Sequence, residues 1–425
     1  MREINLVGMD KTVYQELLKN GLEIYLVPYE DKKNYTMSYA TKYGADVLKF
    51  ITKEGEYTPP LGVAHFLEHK MFEEPSNEDP FTFFSNSGSD SNAYTSYDHT
   101  QYVCMGNKNF EENLRYLIRF VNNPYFTDEN VEKEKGIIAE EIKMYNDIPD
   151  FKLEKQLRKN IYHNSSRKED IAGTIEEINR ITKEDLYKCY NAFYEPNNMF
   201  IMITGCFDKD KALEIIKEEL EDKEISIPPR VLFDKEPTSV VKKEEVLYEN
   251  IEIPKIAIGI KIPKKSIPLE DIEKDLYLSM LTTAIFGSSS EFRERVRESK
   301  QLNDIYMEWE NEHSYKTFYL LAATTKPEEL LKEIEYELTH ISIPKKTFER
   351  IKKVWIANEV KLVDHLERME SYLFDDIINY QKIVENRVEI IRNMDIKEME
   401  KLIKKIDLSE RSIIKMLNKN KKDEQ

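Results

Sequence analysis

Apolar residues recur along this chain with two different periods, and the alternation between them marks out a mixed α and β fold. Asn20-Gly21 stands between apolar stretches, and the run Leu22–Val27 reads as a strand leaving a tight turn, with Tyr35–Tyr43 as its pairing partner. A helical period takes over at Val63–Phe72. It is followed by a polar loop, a strand at Gln101–Met105 and helices at Phe110–Val121 and Asn130–Tyr145. Thr182-x-x-Asp185 predicts a capping box opening a helix to Phe193, and Met199–Thr204 reads as a further strand. Between about Leu220 and Glu245 the pattern lapses into Glu, Lys and Pro without a period, as a connecting segment does. The order then resumes with a strand at Ile251–Ile262, helices at Leu269–Phe286 and Glu291–Leu302, a strand at Thr317–Thr324, and helices from Pro327 onward. The second half repeats the first in outline. The expectation is an α+β protein of two similar domains, residues 1–225 and 226–425, each a mostly antiparallel sheet with helices packed on it. The tail after Asn418 is expected to fray.

Composition narrows the function. The net charge of −17, from 80 acidic against 63 basic residues, repels a phosphate backbone and argues against a nucleic-acid partner. No apolar run is long enough to cross a bilayer, and Met1-Arg2-Glu3 with Asp10 and Lys11 lacks the apolar stretch of a signal peptide, so a soluble, unexported protein is expected. Cys104, Cys189 and Cys206 are odd in number and scattered, which fits reduced thiols in a cytoplasm rather than a disulfide framework or a cysteine zinc cage. A Gly-rich phosphate loop and a serine nucleophile elbow are both missing from the sequence.

The candidate chemistry sits in Leu61-Gly-Val-Ala-His65-Phe-Leu-Glu68-His69. Two His at i and i+4 lie one above the other on a helix, so both imidazoles can reach one ion, and Glu68 shares their face. Val63, Phe66, Leu67 and Met71 gather on the opposite side, leaving one face to pack and one to work. An ordinary amphipathic helix would have the same polar face; the Glu between the two His favours a metal site. A catalytic zinc has three protein ligands and a water, so a third donor must come from elsewhere. On the helix Asn130–Tyr145 the stripe Val131, Ile138, Ile142 and Tyr145 marks the packed side, Glu134 and Glu141 fall together at its edge, and Glu140 points away. Glu141 is the better ligand, and Glu134 can accept a hydrogen bond from a ligand imidazole. By itself this helix fits two half-exposed carboxylates on an acidic protein equally well; the His motif upstream tips the choice.

From Gly62 to Asn146 the chain resembles the insulinase or pitrilysin family of inverted-motif zinc peptidases, especially its bacterial two-domain members. The resemblance rests on Gly-Val-Ala-His-Phe-Leu-Glu-His-Lys-Met-Phe, on Ser91-Asn92-Ala93-Tyr94-Thr95 after Gly88, on Thr100-x-Tyr102, and on Glu132-Lys-Glu-Lys-Gly-Ile-Ile-Ala-Glu-Glu141-Ile. It implies one Zn2+ per chain on His65, His69 and Glu141, with Glu68 as the general base and Glu134 in support. It also implies a metalloendopeptidase acting on short or unfolded peptides, with Asn92 and Ala93 on an edge strand beside the metal where a peptide adds its backbone. Family members enclose a chamber between two half-shells, so the resemblance implies a second half-shell, a copy of this chain or a related one. In the second half Arg297 matches an Arg that touches substrate in many relatives. Their Tyr seven residues later is Asp304 here, and Tyr306 is two positions off. Asp cannot donate as a phenol does to a developing oxyanion, so the expectation leans to a heterodimer whose partner supplies the missing group. The alternative is a non-catalytic subunit of such a complex, although His65, Glu68, His69, Glu134 and Glu141 are all retained.

Overall fold

The computed structural model describes residues 1–73, 75, 80–221 and 227–420. Its strands are, in chain order, β1 (Arg2–Leu6), β2 (Lys11–Leu17), β3 (Glu23–Pro28), β4 (Tyr35–Thr41), β5 (Phe50–Thr52), β6 (Gly55–Tyr57), β7 (Ser89–Thr95), β8 (Thr100–Gly106), β9 (Met199–Gly205), β10 (Arg230–Val231), β11 (Glu244–Glu249), β12 (Lys255–Pro263), β13 (Asp304–Asn311), β14 (Tyr315–Ala323) and β15 (Arg411–Asn418). The fold is α+β, as the periodicity implies. One seven-stranded sheet runs β1-β2-β3-β9-β4-β8-β7, a five-stranded sheet runs β11-β15-β12-β14-β13, and β10-β5-β6 form a small third sheet.

The two large sheets share a plan. In the first, β3 and β9 are parallel while β9–β4, β4–β8 and β8–β7 are antiparallel. In the second, β11 and β15 are parallel while β15–β12, β12–β14 and β14–β13 are antiparallel. The same five-strand order thus occurs twice.

The compact units interleave along the chain: one comprises Met1–Lys143, Glu169–Phe233 and Val360–Asn386, the other Met144–Lys168, Asp234–Glu359 and Arg387–Gln425. The expected boundary between residues 225 and 226 lies outside the described residues, as do residues 421–425 of the tail. Within the first unit, Tyr35, Met37 and Tyr39 of β4 point into a core shared with the helices Val63–Lys70, Phe110–Asn122 and Lys183–Phe193. The other face of β4 and β9 is covered by the helix Leu366–Tyr380: Phe374 packs on Phe200 with ring centroids 5.0 Å apart, and Ser38 and Gln101 both hydrogen-bond Glu370. Both faces being covered, every residue of β4 and β9 is buried, which explains the near-continuous apolar run of β9. In the second unit, Ile256, Ile258, Ile260 and Ile262 of β12 face one core, while Ala257 faces another built with Leu153, Leu157 and Ile161 of the helix Pro149–Ile161.

Local signals in the sequence are met closely in places. Thr182 and Asp185 form the capping box in full, each side chain bonded to the other's backbone amide. Other elements depart from expectation: the strand at Leu22–Val27 does not pair with that at Tyr35–Tyr43, because β9 lies between β3 and β4. The helix Glu291–Glu298 stops short of Leu302 because Lys300 takes a left-handed φ of 54°, after which β13 begins. The expectation of helices alone after Pro327 is corrected by β15, whose Ser412–Ile414 is wholly buried between β11 and β12. A central strand covered on both faces has no period of two to betray it.

Candidate metal centre

The motif helix Val63–Lys70 starts at Gly62, which holds a φ of 86°; a Cβ there would lie 2.4 Å from the Ala172 carbonyl oxygen, so both conformation and space demand glycine. Val63, Phe66, Leu67 and Met71 are buried, the face the pattern assigns to packing. His65, Glu68 and His69 are half-buried on the other face. The long helix Asp128–Asp147 buries Val131, Ile138 and Ile142 and leaves Glu140 exposed in an ion pair with Lys143. That packing aims Glu134 and Glu141 at the motif helix.

His65, His69 and Glu141 come together, with one donor atom from each within 4.8 Å of the others. His65 Nε2 lies 3.7 Å and His69 Nε2 3.4 Å from the two Glu141 carboxylate oxygens. A tetrahedron with metal–ligand bonds of about 2.1 Å has edges of about 3.4 Å, so these separations suit three corners around a single small cation. His69 Nδ1 meets Glu134 Oε1 at 2.9 Å, which orients the ring with Nε2 towards Glu141. Donor chemistry, spacing and the carboxylate behind His69 therefore fit zinc.

The electrostatics are asymmetric. Burial and then the neighbouring charge of His69 push His65 down to about 4, and its buried Nδ1 finds no partner among the described residues, so this imidazole is neutral. Burial disfavours the charge on His69 as well, but Glu134 and Glu141 outweigh it and push that ring up to about 9. Burial also opposes the Glu134 charge, yet His69 and Lys70 hold the carboxyl below its usual range. Glu141 is likewise held low, chiefly by His69. Burial raises Glu68, against a favourable hydrogen bond from Thr95.

Two participants escaped the sequence reading. Lys70 is fully buried, with its Nζ 2.6 Å from Glu73 and 3.5 Å from Glu134 Oε2, the carboxylate oxygen that His69 does not contact. Thr95, the last residue of β7, donates from Oγ1 to Glu68 Oε2 at 2.6 Å. Nothing in the local pattern singles out either residue. Asn92 and Ala93 lie on β7, at the edge of the first sheet, Asn92 exposed and Ala93 half-buried. Arg297 is exposed on the helix Glu291–Glu298, in the unit that does not contain the metal centre. Asp304 opens β13 with its carboxylate on the Ile305 amide at 2.8 Å, and the Tyr306 hydroxyl bonds Glu308.

An inverted His-x-x-Glu-His helix on an α+β scaffold, with a carboxylate brought in from a second helix, defines a metallopeptidase class. The chain belongs to the insulinase family, peptidase family M16: residues 54–175 match that family as described, and residues 180–354 match the Peptidase M16 inactive domain. It is 32% identical over 391 residues to the uncharacterized zinc protease YmfH of Bacillus subtilis, across 89% of this chain and 90% of that protein. An M16-like peptidase from Alicyclobacillus acidocaldarius superposes with a TM-score of 0.91 and 28% identity, covering 96% of this chain and 98% of the other. The periplasmic protease PqqL of Escherichia coli shares the fold with a TM-score of 0.78 at 18% identity, over 97% of this chain but 48% of the PqqL chain. At the level of its family the protein is a zinc metallopeptidase. No helix among the described residues is long and apolar enough to cross a membrane.

Proposed function

We propose that the protein is an active zinc endopeptidase for short or unfolded peptides, binding one Zn2+ on His65, His69 and Glu141, with Glu68 as general base. The observation that carries this reading is the convergence of those three donors while Glu68, on the same helix face, is left out of the cluster. Zinc held there supplies Lewis-acid polarisation of the scissile carbonyl and of water. Glu68 takes the proton from the attacking water and passes it to the leaving amine; its half-buried position, which raises its carboxyl, suits a group that must both accept and return a proton. Glu134 fixes the His69 ring, and the edge of β7 at Asn92 and Ala93 takes the peptide backbone as an added strand. Arg297 is a further substrate contact in this reading.

The family description of residues 180–354 as an inactive domain suits a chain with one metal centre carried by a duplicated scaffold, divided as 1–225 and 226–425. PqqL carries about twice this length in one chain, which supports a second half-shell for this protein. Asp304 in place of a phenol favours a related companion over a second copy. A cytoplasmic site of action belongs to the same reading. The test is Glu68→Gln: the variant should bind one equivalent of zinc by metal analysis and lose about 10²- to 10⁴-fold in kcat on a quenched peptide. Full activity in that variant would remove Glu68 from the mechanism. Assay of the chain alone and with proteins co-purified from its own cells separates the dimer models, since full activity as a monomer would dismiss both.

A further inference from the structure

We infer that Thr95 is a positioning residue for the general base, holding the Glu68 carboxylate through its hydroxyl, with its backbone as a second contact. The inference rests on the proposed role of Glu68. Hydroxyl protons around the site can be assigned by counting. Thr95 Oγ1 lies 2.6 Å from Glu68 Oε2 and 3.4 Å from Thr100 Oγ1, and Thr100 Oγ1 lies 3.0 Å from the Tyr43 carbonyl oxygen. Two hydroxyls carry two protons, and an ionised carboxylate and a carbonyl can only accept. The assignment that serves both acceptors has Thr100 donating to Tyr43 and Thr95 donating to Glu68. The Thr95–Glu68 bond is the shorter, as expected for a charged acceptor.

The scaffold behind Thr95 is built to hold it still. Thr95 ends β7 and pairs with Thr100 at the start of β8, and the intervening turn is closed by the Ser96 amide on the His99 carbonyl at 2.8 Å. A second loop clamps this turn: the Ala45 and Asp46 amides donate to the Ser96 and Tyr97 carbonyls at 3.0 and 2.7 Å. Gly44 permits that approach, because a Cβ there would lie 2.4 Å from the Ser96 oxygen. The Tyr97 hydroxyl adds a bond to the Glu169 carbonyl at 2.9 Å. Along β7, Ser91, Ala93 and Thr95 are half-buried while Asp90, Asn92 and Tyr94 are exposed, so the alternation of the strand puts Thr95 on the sheltered face. Glu68, on a helix, and Thr95, on a pinned hairpin, approach from two elements that cannot drift independently. A carboxylate held by hydrogen bonds has restricted rotational freedom, and proton transfer is sensitive to displacements of well under an ångström.

Thr95→Val keeps the shape and the β-branch and removes the proton; Thr95→Ser keeps the proton and removes the methyl. In the full chain with its co-purifying companion, the Val variant should lose about 10- to 100-fold in kcat with KM within about twofold, and the Ser variant should restore most of it. Zinc content and chelator-competition affinity should match the parent protein in both. A readout independent of turnover is the crystal structure of each variant: the Glu68 carboxylate should leave its position or scatter in Val and stay in place in Ser. Parental kcat in Val, an unmoved carboxylate in Val, equal losses in Val and Ser, or loss of zinc would each overturn the inference. Glu68→Gln in the same assay keeps the two ideas apart. An active Glu68→Gln removes the base itself, whereas an inactive Glu68→Gln beside a fully active Thr95→Val removes only the role of Thr95.

Discussion

Two histidines one helical turn apart, with ring centroids 4.6 Å from each other, end up with opposite acid–base character. His65 is a neutral ring because burial and its neighbour's charge both oppose protonation; His69 keeps its proton because two carboxylates outweigh burial. The residues thus store one exchangeable proton where the proposed cation would bind. With His69 pushed up to about 9 and His65 down to about 4, the metal-free site is singly protonated between those values, and a metal must displace that proton. Zinc uptake near pH 7.5 should therefore release about one proton per site, and apparent affinity should rise about tenfold per pH unit until the proton is gone near pH 9. Calorimetry in buffers of different ionisation enthalpy measures the number directly; a value of zero or two would contradict the asymmetry. Lys70 belongs to the same design, since its charge adds to that of His69 in holding the Glu134 carboxyl below its usual range against burial.

Among the elements, the helix Leu366–Tyr380 carries the most telling polar contact. Its Glu370 is buried against the first sheet, accepting from Ser38 and Gln101, and burial pushes the carboxyl up to about 7. In the unfolded chain the same group titrates near 4.5, the ordinary value of a glutamate. The folded-state value is the higher one, so the favourable protonated contact is intact below about 4.5 and is lost as pH rises through about 7. Glu370→Gln keeps the acceptor and removes the charge. It should raise the unfolding free energy at pH 8 by an amount of order 3 kcal/mol, read as a higher thermal midpoint, and leave the midpoint nearly unchanged at pH 4.5. Equal midpoint shifts at the two pH values would rule out the buried charge as the cause. The motif helix shows the complementary case: its core face needs no such polar anchor, because Val63, Phe66, Leu67 and Met71 already pack without unpaired groups.

Across the whole molecule, a repeated strand order is combined with exchanged helices. The helix Pro149–Ile161 follows the metal-centre helix in sequence yet packs on β12 and β15 of the second unit. The helix Leu366–Tyr380 follows the corresponding long helix Lys345–Leu362 in the second half yet packs on β4 and β9 of the first. By strand order β4 corresponds to β12 and β9 to β15, so each half lends the same structural piece to the other's sheet. A fragment of residues 1–225 would lack the helix over Phe200 and the Ser38–Gln101 pair. It should aggregate or bind a hydrophobic dye strongly, where the full chain does not. A monomeric, cooperatively melting fragment, checked by gel filtration and calorimetry, would show instead that the helix is dispensable.

What the sequence determined by itself is whatever depends on residues close together in the chain. The His-x-x-Glu-His face, the Thr182–Asp185 cap and the assignment of Glu141 over Glu140 are all set by helix geometry within a few turns, and the observed contacts follow it. The alternation of strands and helices likewise conveyed the α+β class. Only the tertiary structure decided what depends on pairing distant segments. β15 hides among helices because a central strand shows no alternation, and Lys70 and Thr95 acquire their roles only when other elements bring Glu134 and Glu68 to them. The interleaving of units has the same origin, because the helices that cross over carry an ordinary amphipathic pattern. Such a pattern states that a face must be covered and is silent on which sheet will cover it.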